Sequence, residues 1–313
     1  MKIEVLTIGA LLVEIMRKEI NKPFDKPADF IGPFPSGGSA IFIDAAARLG
    51  NSCGMVAVVG NDGFGKCCLD RFKEDGISTE MVRIDEIKTT AVAFVGYYED
   101  GSRDFIYHVN DAASSTITED DVKVELLKDV KWVHLSVNTI CGNENVRKAV
   151  DKIIDNLPVS ARLSIDPNVR TQLGKNPDMA NRLEPFLEKA SVIFPSEGEM
   201  TALTGIEDED KACAMYARNK IVVYKKGSKG CTVYSGTDKF EIPAFKTEEV
   251  DPTGAGDCFA AGFLTALSEE KNLYDCGLFA NAVGALSIRK KGPMEGAPFY
   301  EEVLDFINEG GSL

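Results

Sequence analysis

The chain has 313 residues, of which 44% are hydrophobic and 27% are charged. These are ordinary values for a globular protein that is long enough to bury a large core. The formal net charge is -14. An acidic surface repels phosphate backbones, so nucleic acid is excluded as an expected partner.

The eight cysteines are scattered without a CxxC pair, and only two histidines are present. A zinc cluster is therefore not expected, and the thiols suit a reducing compartment. The N-terminus has no basic segment followed by a long apolar stretch, and no run reaches the roughly 20 apolar residues of a membrane span. We expect a cytoplasmic protein with no membrane partner.

The first apolar run, Ile3 to Ile8, ends at Gly9 and predicts a buried strand. Short extended pieces within residues 11–35 predict a small sheet excursion, and the pattern becomes helical from Ser39 to Gly50. Residues 89–110 contain Asp100-Gly101 between two strand-like runs, which indicates a hairpin. We expect this hairpin to pair with the earlier excursion.

The rest of the chain alternates strand-like and helix-like stretches and ends in two long helices, about Gly254 to Glu269 and Leu273 to Lys290. Strands separated by helices predict βαβ units and a mostly parallel sheet. No internal repeat and no linker rich in Pro, Gly or Ser is present. We predict one α/β domain over residues 1–313, with a small β-sheet lid formed by about residues 11–35 and 89–110.

The segment Asp251-Pro252-Thr253-Gly254-Ala255-Gly256-Asp257 directly precedes an apolar helix. Small residues at a helix N-terminus let a ligand approach free N–H groups, where the helix dipole favours an anion such as phosphate. A carboxylate beside such a site can accept the proton of a hydroxyl that attacks a phosphoryl group. The alternative is a glycine-rich turn in which an Asp caps the helix.

The run Asp251 to Leu264 resembles the C-terminal signature of the ribokinase-type (PfkB-type) carbohydrate kinases at every position. Further segments match that family in order, namely Ile8-Gly9 with Val13-Glu14, Arg48-Leu49-Gly50, Val59 to Gly65, Asp166-Pro167-Asn168-Val169-Arg170 and Val223 to Gly227. The resemblance implies a ribokinase-like fold, with a central mostly parallel sheet flanked by helices. It also implies ATP-dependent phosphorylation of a sugar hydroxyl, for which a primary hydroxyl is expected.

The resemblance assigns roles to the signature residues. Asp257 would be the general base, and the amides of Gly254, Ala255 and Gly256 would form the anion hole for the transferring phosphoryl group. Asp251 and Thr253 would be ligands of a monovalent cation, K⁺ in some relatives. The chain has no GxxxxGK[ST] sequence, so it is not a P-loop kinase.

The nucleotide and metal sites are also implied by the resemblance. The loop that follows Val223 and the last long helix would bind ATP through Lys225, Gly227, Ser228, Gly230, Asn281 and Gly284. Glu199 would help to hold Mg²⁺ through water, in a family N-x-x-E element where Ser196 replaces the Asn. Read without the resemblance, the loop is a charged hairpin turn and Glu199 begins a solvated helix.

The residues expected to bind the sugar match the family less well. Glu14, Gly37 and Gly38 fit positions that contact the sugar, but Ile41 stands where an Asn is usual. Asp44 is a candidate replacement, or else an i,i+4 partner of Arg48. Other candidates for the sugar are Arg103 and Asn110 at the lid hairpin, and Arg170. Both arginines could equally be surface charges.

The segment from Gly32 to Asp44 resembles kinases of keto-sugars of the tagatose type, while ribose, fructose and 2-keto-3-deoxygluconate remain open. Two alternatives stand beside a sugar kinase: a nucleoside or other small-alcohol kinase of the same fold, and a non-catalytic sugar-sensing relative. The exposed edges of the small lid sheet predict a homodimer.

Overall fold

The computed structural model describes residues 2–136, 139, 143–168 and 177–309. The strands, numbered in chain order, are β1 (Val5–Ile8), β2 (Leu12–Arg17), β3 (Phe30–Ser36), β4 (Cys53–Gly60), β5 (Val82–Asp85), β6 (Ala91–Tyr97), β7 (Arg103–His108), β8 (Trp132–Ser136), β9 (Arg162–Asp166), β10 (Val192–Ile193), β11 (Ile221–Lys225), β12 (Cys231–Ser235) and β13 (Asp238–Ile242). The α-helices of these residues are α1 (Gly38–Arg48), α2 (Gly63–Glu74), α3 (Glu144–Asp155), α4 (Pro177–Lys189), α5 (Glu199–Thr204), α6 (Glu209–Tyr216), α7 (Ala255–Ser268), α8 (Leu273–Ser287) and α9 (Tyr300–Asn308). None of the helices in these ranges is both long enough and apolar enough to cross a membrane.

The larger sheet has nine strands in the order β13-β12-β11-β10-β9-β8-β1-β4-β5. Neighbouring strands from β11 to β5 pair in parallel, and the antiparallel pairs β11–β12 and β12–β13 lie at one edge. Strands β1, β4 and β8 are buried throughout, because helices cover both faces of a parallel sheet. The predicted mostly parallel sheet flanked by helices is confirmed, whereas the antiparallel hairpin β12–β13 was not anticipated.

Successive residues of β1 contribute to two different cores, because side chains alternate across a strand. Val5 joins the core shared with α1, α7 and α8, in which Phe42 and Phe263 are fully buried. Leu6 and Ile8 join the core on the opposite face, against α3 and α4. This layering leaves the carboxyl ends of the parallel strands at one edge, where open α/β sheets bind ligands.

The smaller sheet has four strands in the order β3-β2-β6-β7. Strands β2 and β6 pair in parallel, although they lie far apart in sequence, and β3 and β7 form the outer, antiparallel edges. The prediction that the hairpin of residues 89–110 pairs with the excursion of residues 11–35 is confirmed. We call this four-stranded unit the lid sheet.

A buried ion pair joins α1 to α2. Asp44 is fully buried, and its two carboxylate oxygens each accept a 2.8 Å hydrogen bond from Arg71. Arg71 also bonds to the carbonyl oxygen of Met294, whereas Arg48 lies 4.0 Å from Asp44 and contacts Asp75 at 3.1 Å. The structure contradicts the expectation that Asp44 binds the sugar, because its carboxylate is enclosed in the interior and is already occupied by Arg71.

His134 of β8 is buried in the core next to α1. Its ring stacks on Phe42 at 3.9 Å between centroids, and its Nδ1 lies 2.9 Å from the hydroxyl oxygen of Ser164. Burial lowers the pKa of His134 to about 3, and the positive charge of Lys225 adds to this effect. The imidazole is therefore neutral in the folded protein at neutral pH.

Replacing His134 with Phe is expected to reduce the loss of stability in mild acid. Below pH about 6.5 the unfolded chain binds a proton at His134 that the folded chain does not bind. His134 should therefore contribute a fall of about 2 kcal/mol in the free energy of unfolding between pH 7 and pH 5, and this contribution is absent from His134→Phe. Urea titrations across this range measure the difference.

His108→Phe is the matched control for this prediction, because His108 is an exposed histidine on β7. The control retains the buried imidazole of His134, so the contribution of His134 to the loss of stability in acid should remain. An identical loss of stability in His134→Phe would contradict the assignment of this effect to His134.

Candidate active site

Helix α7 begins at a tightly packed turn. Gly254 precedes it with a left-handed backbone (φ 80°, ψ -1°), and no described side chain caps this end of the helix. A methyl group on Gly254 would lie 2.8 Å from Ile41 Cγ2 and 2.9 Å from the carbonyl oxygen of Pro293. The backbone conformation and the lack of space both require glycine here. The helix therefore presents its N–H groups and the positive end of its dipole at a fixed place.

The carboxylate of Asp257 lies in the first turn of α7 and faces the start of α1. A methyl group on Gly38 would lie 3.2 Å from Asp257 Oδ1. Gly37, which precedes α1 with φ 110°, lies directly beside it in the chain. The structure thus brings together the double glycine and the aspartate, which are about 220 residues apart in sequence.

Charged side chains from neighbouring strands meet beside Asp257. Asp166 ends β9, Lys225 ends β11, and Glu199 begins the helix that follows β10. All three are buried, and Lys225 Nζ donates a 2.5 Å hydrogen bond to Asp166 Oδ2. Burial by itself would lower the pKa of Lys225, but the carboxylates of Asp166, Glu199 and Asp257 outweigh it and raise the pKa. Lys225 is therefore a buried, charged ammonium group.

The lid sheet contacts the segment that leads into α7. Tyr97 donates its hydroxyl proton to Asp251, at 3.1 Å and 3.2 Å from the two carboxylate oxygens, and an Arg103 nitrogen lies 3.1 Å from the hydroxyl oxygen of Thr253. Asp251 is fully buried and also accepts backbone N–H bonds from Thr253 and Gly292. Burial and the Asp251 carboxylate raise the pKa of Tyr97, which keeps its hydroxyl protonated.

Three of the expected nucleotide residues, Gly227, Ser228 and Gly230, belong to the loop after β11. Gly227 and Ser228 lie in an exposed 3₁₀ turn, and Gly230 packs closely against the carbonyl oxygen of Ile242. Asn281 of α8 is buried, and its Nδ2 donates to the carbonyl oxygens of Ile242 and Pro243 at 3.3 Å and 2.9 Å. Its amide therefore fixes the chain after β13.

Gly284 lies one turn further along α8 and packs against the start of α7. A methyl group on it would lie 3.7 Å from the carbonyl oxygen of Ala255. Asn281 and Gly284 therefore connect the chain after β13 to the N-terminus of α7 through a single helix.

Not all of the expected sugar contacts lie together. Glu14 is buried in the lid sheet, where it accepts a 2.7 Å hydrogen bond from the Ser36 hydroxyl. Asn110 lies in the exposed turn after β7, and Arg170 lies outside the described residues. Ile41 packs on Gly254, so this side chain stabilises the turn before α7.

Two residues of the site were not assigned from the sequence. Asp166 could have been found, because it is a carboxylate at the end of a buried strand in a parallel sheet. Tyr97 gave no such signal, because it is one of several aromatic residues in the lid strands, and its partner is 154 residues away.

Replacing Tyr97 with Phe is expected to loosen the lid sheet. The change deletes a hydrogen bond to a buried carboxylate, and such bonds contribute about 1.5–3 kcal/mol. Amide hydrogen exchange in β6 and β7 should become roughly ten to a hundred times faster, because local opening is easier. Tyr98→Phe is the control, since the Tyr98 hydroxyl bonds to the exposed Asp104. Unchanged exchange in Tyr97→Phe would show that this bond does not hold the lid sheet.

Comparisons with known proteins identify the family of this chain. The model of the "pfkB family carbohydrate kinase" family matches residues 32–299. Fructokinase-1 of Zea mays is 30% identical, over 97% of this chain and 98% of its own length. The apo crystal structure of a candidate ribokinase II from E. coli is 36% identical with a TM-score of 0.93, covering 98% of this chain and 99% of that one. A complex of a candidate ribokinase II from E. coli with ATP and Mg²⁺ is 35% identical with a TM-score of 0.92 and the same coverage. The chain belongs to the PfkB family of carbohydrate kinases.

Proposed function

We propose that this sugar kinase transfers the γ-phosphoryl group of ATP to a primary hydroxyl of a small keto-sugar, with Asp257 as the general base. The family makes the chain a phosphotransferase with an alcohol group as acceptor. The observation that carries the proposal is the position of Asp257 between the N-terminus of α7 and Gly38. A keto-sugar is favoured because Fructokinase-1 of Zea mays is 30% identical over nearly the whole chain.

In the proposed reaction, the Asp257 carboxylate accepts the proton of the sugar hydroxyl as its oxygen bonds to the γ-phosphorus. The bond from that phosphorus to the bridging oxygen breaks, and its electron pair leaves with ADP. The N–H groups of Gly254, Ala255 and Gly256 stabilise the charge on the transferring group, as a preorganised anion hole does. Tyr97 and Arg103 hold the lid sheet over this place, and closure excludes water.

The nucleotide would lie along the loop after β11 and along helix α8. Lys225, Gly227, Ser228 and Gly230 would contact its phosphates, while Asn281 and Gly284 would line the adenine side. This placement is supported by the position of Gly284, which packs against the start of α7. Helix α8 would therefore contact both the adenine side of the nucleotide and the turn that binds the transferring phosphoryl group.

Glu199 is the residue that would hold Mg²⁺, through water. It is buried at the sheet edge beside Asp166 and Lys225, and carboxylate oxygens suit this ion. Within the described ranges, no group of three or more His, Cys, Asp or Glu residues could hold a metal by itself. Glu199 would therefore share the ion with phosphate oxygens, and the ion would neutralise phosphate charge.

We also propose that Asp251 and Thr253 line a site for a monovalent cation such as K⁺. Asp251 is fully buried, and Thr253 directly precedes Gly254 in the chain, so an ion held between them would be close to the amides at the start of α7. Replacing K⁺ with tetramethylammonium in the assay should lower turnover, and an unchanged rate would remove K⁺ from the proposal.

The alternatives make different predictions about the acceptor. A nucleoside or other small-alcohol kinase stays open, because Ile41 packs on Gly254 and supplies no polar contact where the family has an Asn. A non-catalytic sugar sensor is less well supported, because a sensor does not need a carboxylate at the position of Asp257. ADP release across a panel of sugars and nucleosides distinguishes these functions, and sugar binding without turnover would favour the sensor.

Asp257→Asn is expected to lower kcat by about 10²–10⁴-fold, the usual contribution of general acid–base catalysis. ATP binding should change little, because the N–H groups at the start of α7 remain. The matched control is Asp275→Asn, an exposed aspartate in the first turn of the next helix, α8, and this variant should keep full activity. A kcat for Asp257→Asn within tenfold of the unchanged protein would rule out the general-base role.

We propose that the protein forms a homodimer through its lid sheets. We also propose that it is located in the cytoplasm. The inner face of β6 and β7 carries Tyr97 and Arg103, so the alternating residues Phe94 and Ile106 lie on the outer face. Phe30 and Ile106 are 43% and 42% exposed, and β3 and β7 have open edges. Light scattering at micromolar concentration should give twice the mass of 34.0 kDa, and a monomeric mass would contradict this assembly.

A further inference from the structure

Lys225 and Asp166 form a buried ion pair at the carboxyl ends of β11 and β9. Their side chains are only 10% and 4% exposed, and Nζ lies 2.5 Å from Asp166 Oδ2. Burying two charges carries a large desolvation penalty, and an apolar pair of the same size is often equally stable. A contribution to stability alone therefore gives a poor explanation of why two charges are buried here.

The ammonium group of Lys225 lies beside the first turn of α7. A methyl group on Gly256 would come within 3.2 Å of Lys225 Nζ. The backbone of Lys225 bridges to Ser196, the residue that replaces the Asn of the family element. The positive charge is thus fixed where the amide of Gly256, the carboxylate of Asp257 and the metal-side carboxylate of Glu199 converge.

We propose that Lys225 is a catalytic residue whose ammonium group contacts the phosphoryl group in transit, and that Asp166 is the residue that positions it. This inference rests on the proposed function and adds a transition-state role to what was a nucleotide contact. Lys225 keeps its proton throughout: the base takes the hydroxyl proton, the P–O bond to ADP breaks, and Nζ donates hydrogen bonds to the phosphoryl oxygens. In a water-excluded site a preorganised cation is far more effective than in water.

Asp166 is needed because it gives the ammonium group a single orientation. An unpaired lysine at this depth would lose its proton or turn toward solvent. The bond to Asp166 Oδ2 occupies one of the three N–H groups of Lys225. The remaining N–H groups can then donate to phosphoryl oxygens beside Gly256.

The first test uses Lys225→Met, which keeps the length of the side chain and removes its charge. We expect kcat to fall by about 10²–10³-fold, as when one donor of an oxyanion hole is lost, while KM for ATP rises less than tenfold. Binding of ADP with aluminium fluoride, a planar phosphoryl mimic, should weaken by a factor similar to the fall in kcat, while ADP alone binds nearly as before. Calorimetry measures both affinities without turnover.

A double-mutant cycle tests the positioning role of Asp166 and separates this role from any loss of folding. Lys225→Met leaves Asp166 buried without its cation, so the single variant is expected to be the less stable one. The variant Asp166→Asn/Lys225→Met removes both charges and should fold while remaining inactive. Asp166→Asn should lower kcat strongly alone and by less than threefold in the Lys225→Met background, because it acts through Lys225.

Lys239→Met is the matched control, because Lys239 is an ion-paired lysine on β13 outside the site. It should keep kcat and the affinity for the aluminium fluoride complex. A folded Lys225→Met or double variant with kcat within threefold of the unchanged protein overturns the role of Lys225. An equal effect of Asp166→Asn in both backgrounds overturns the role of Asp166.

The two proposals fail in different ways. If the unchanged protein releases no ADP with any acceptor, the proposed function is wrong. The affinity for ADP with aluminium fluoride still decides whether Lys225 contacts the phosphoryl position, and equal binding by Lys225→Met would overturn that contact.

Discussion

The close contact between the start of α7 and α1 is the constraint on which the site depends. Gly254 has no room for a side chain, because Ile41 and the carbonyl oxygen of Pro293 lie against it. This contact sets the distance from the amides of α7 to Gly38, and therefore the place of Asp257. The buried pair of Asp44 and Arg71 acts on the same contact, because it fastens α1 to α2 and to the carbonyl oxygen of Met294.

An acidic chain holds its site together by local charge pairing. The chain carries a formal net charge of -14, yet Lys225 is buried among the carboxylates of Asp166, Glu199 and Asp257. In a low-dielectric interior this grouping keeps the lysine charged and holds the carboxylates near one another. Binding of a triphosphate would change the interactions of every member of this group, because the charge of Lys225 is coupled to all three carboxylates.

Local patterns in the sequence predict most of the fold and the core of the site. The apolar runs that become β1, β8 and β11, and the small residues before α7, carry their signals within a few neighbouring residues. The errors concern partners that are distant in sequence. Asp44 has Arg48 one turn away, but its main partner Arg71 is 27 residues away on another helix. Tyr97 gains its role only when the lid strands meet the segment before α7, and no local pattern contains that information.

The lid sheet is fastened by contacts that span the chain: Tyr97 is 154 residues from Asp251, and Arg103 is 150 residues from Thr253. Contacts of such high sequence separation form late in folding. On the ribosome, β6 and β7 emerge long before the residues that cover their inner face. The growing chain therefore exposes an aromatic sheet with open edges, which is the kind of surface that chaperones bind and that aggregates when unprotected. The sheet that contacts Asp251 and Thr253 in the folded protein is thus exposed during synthesis.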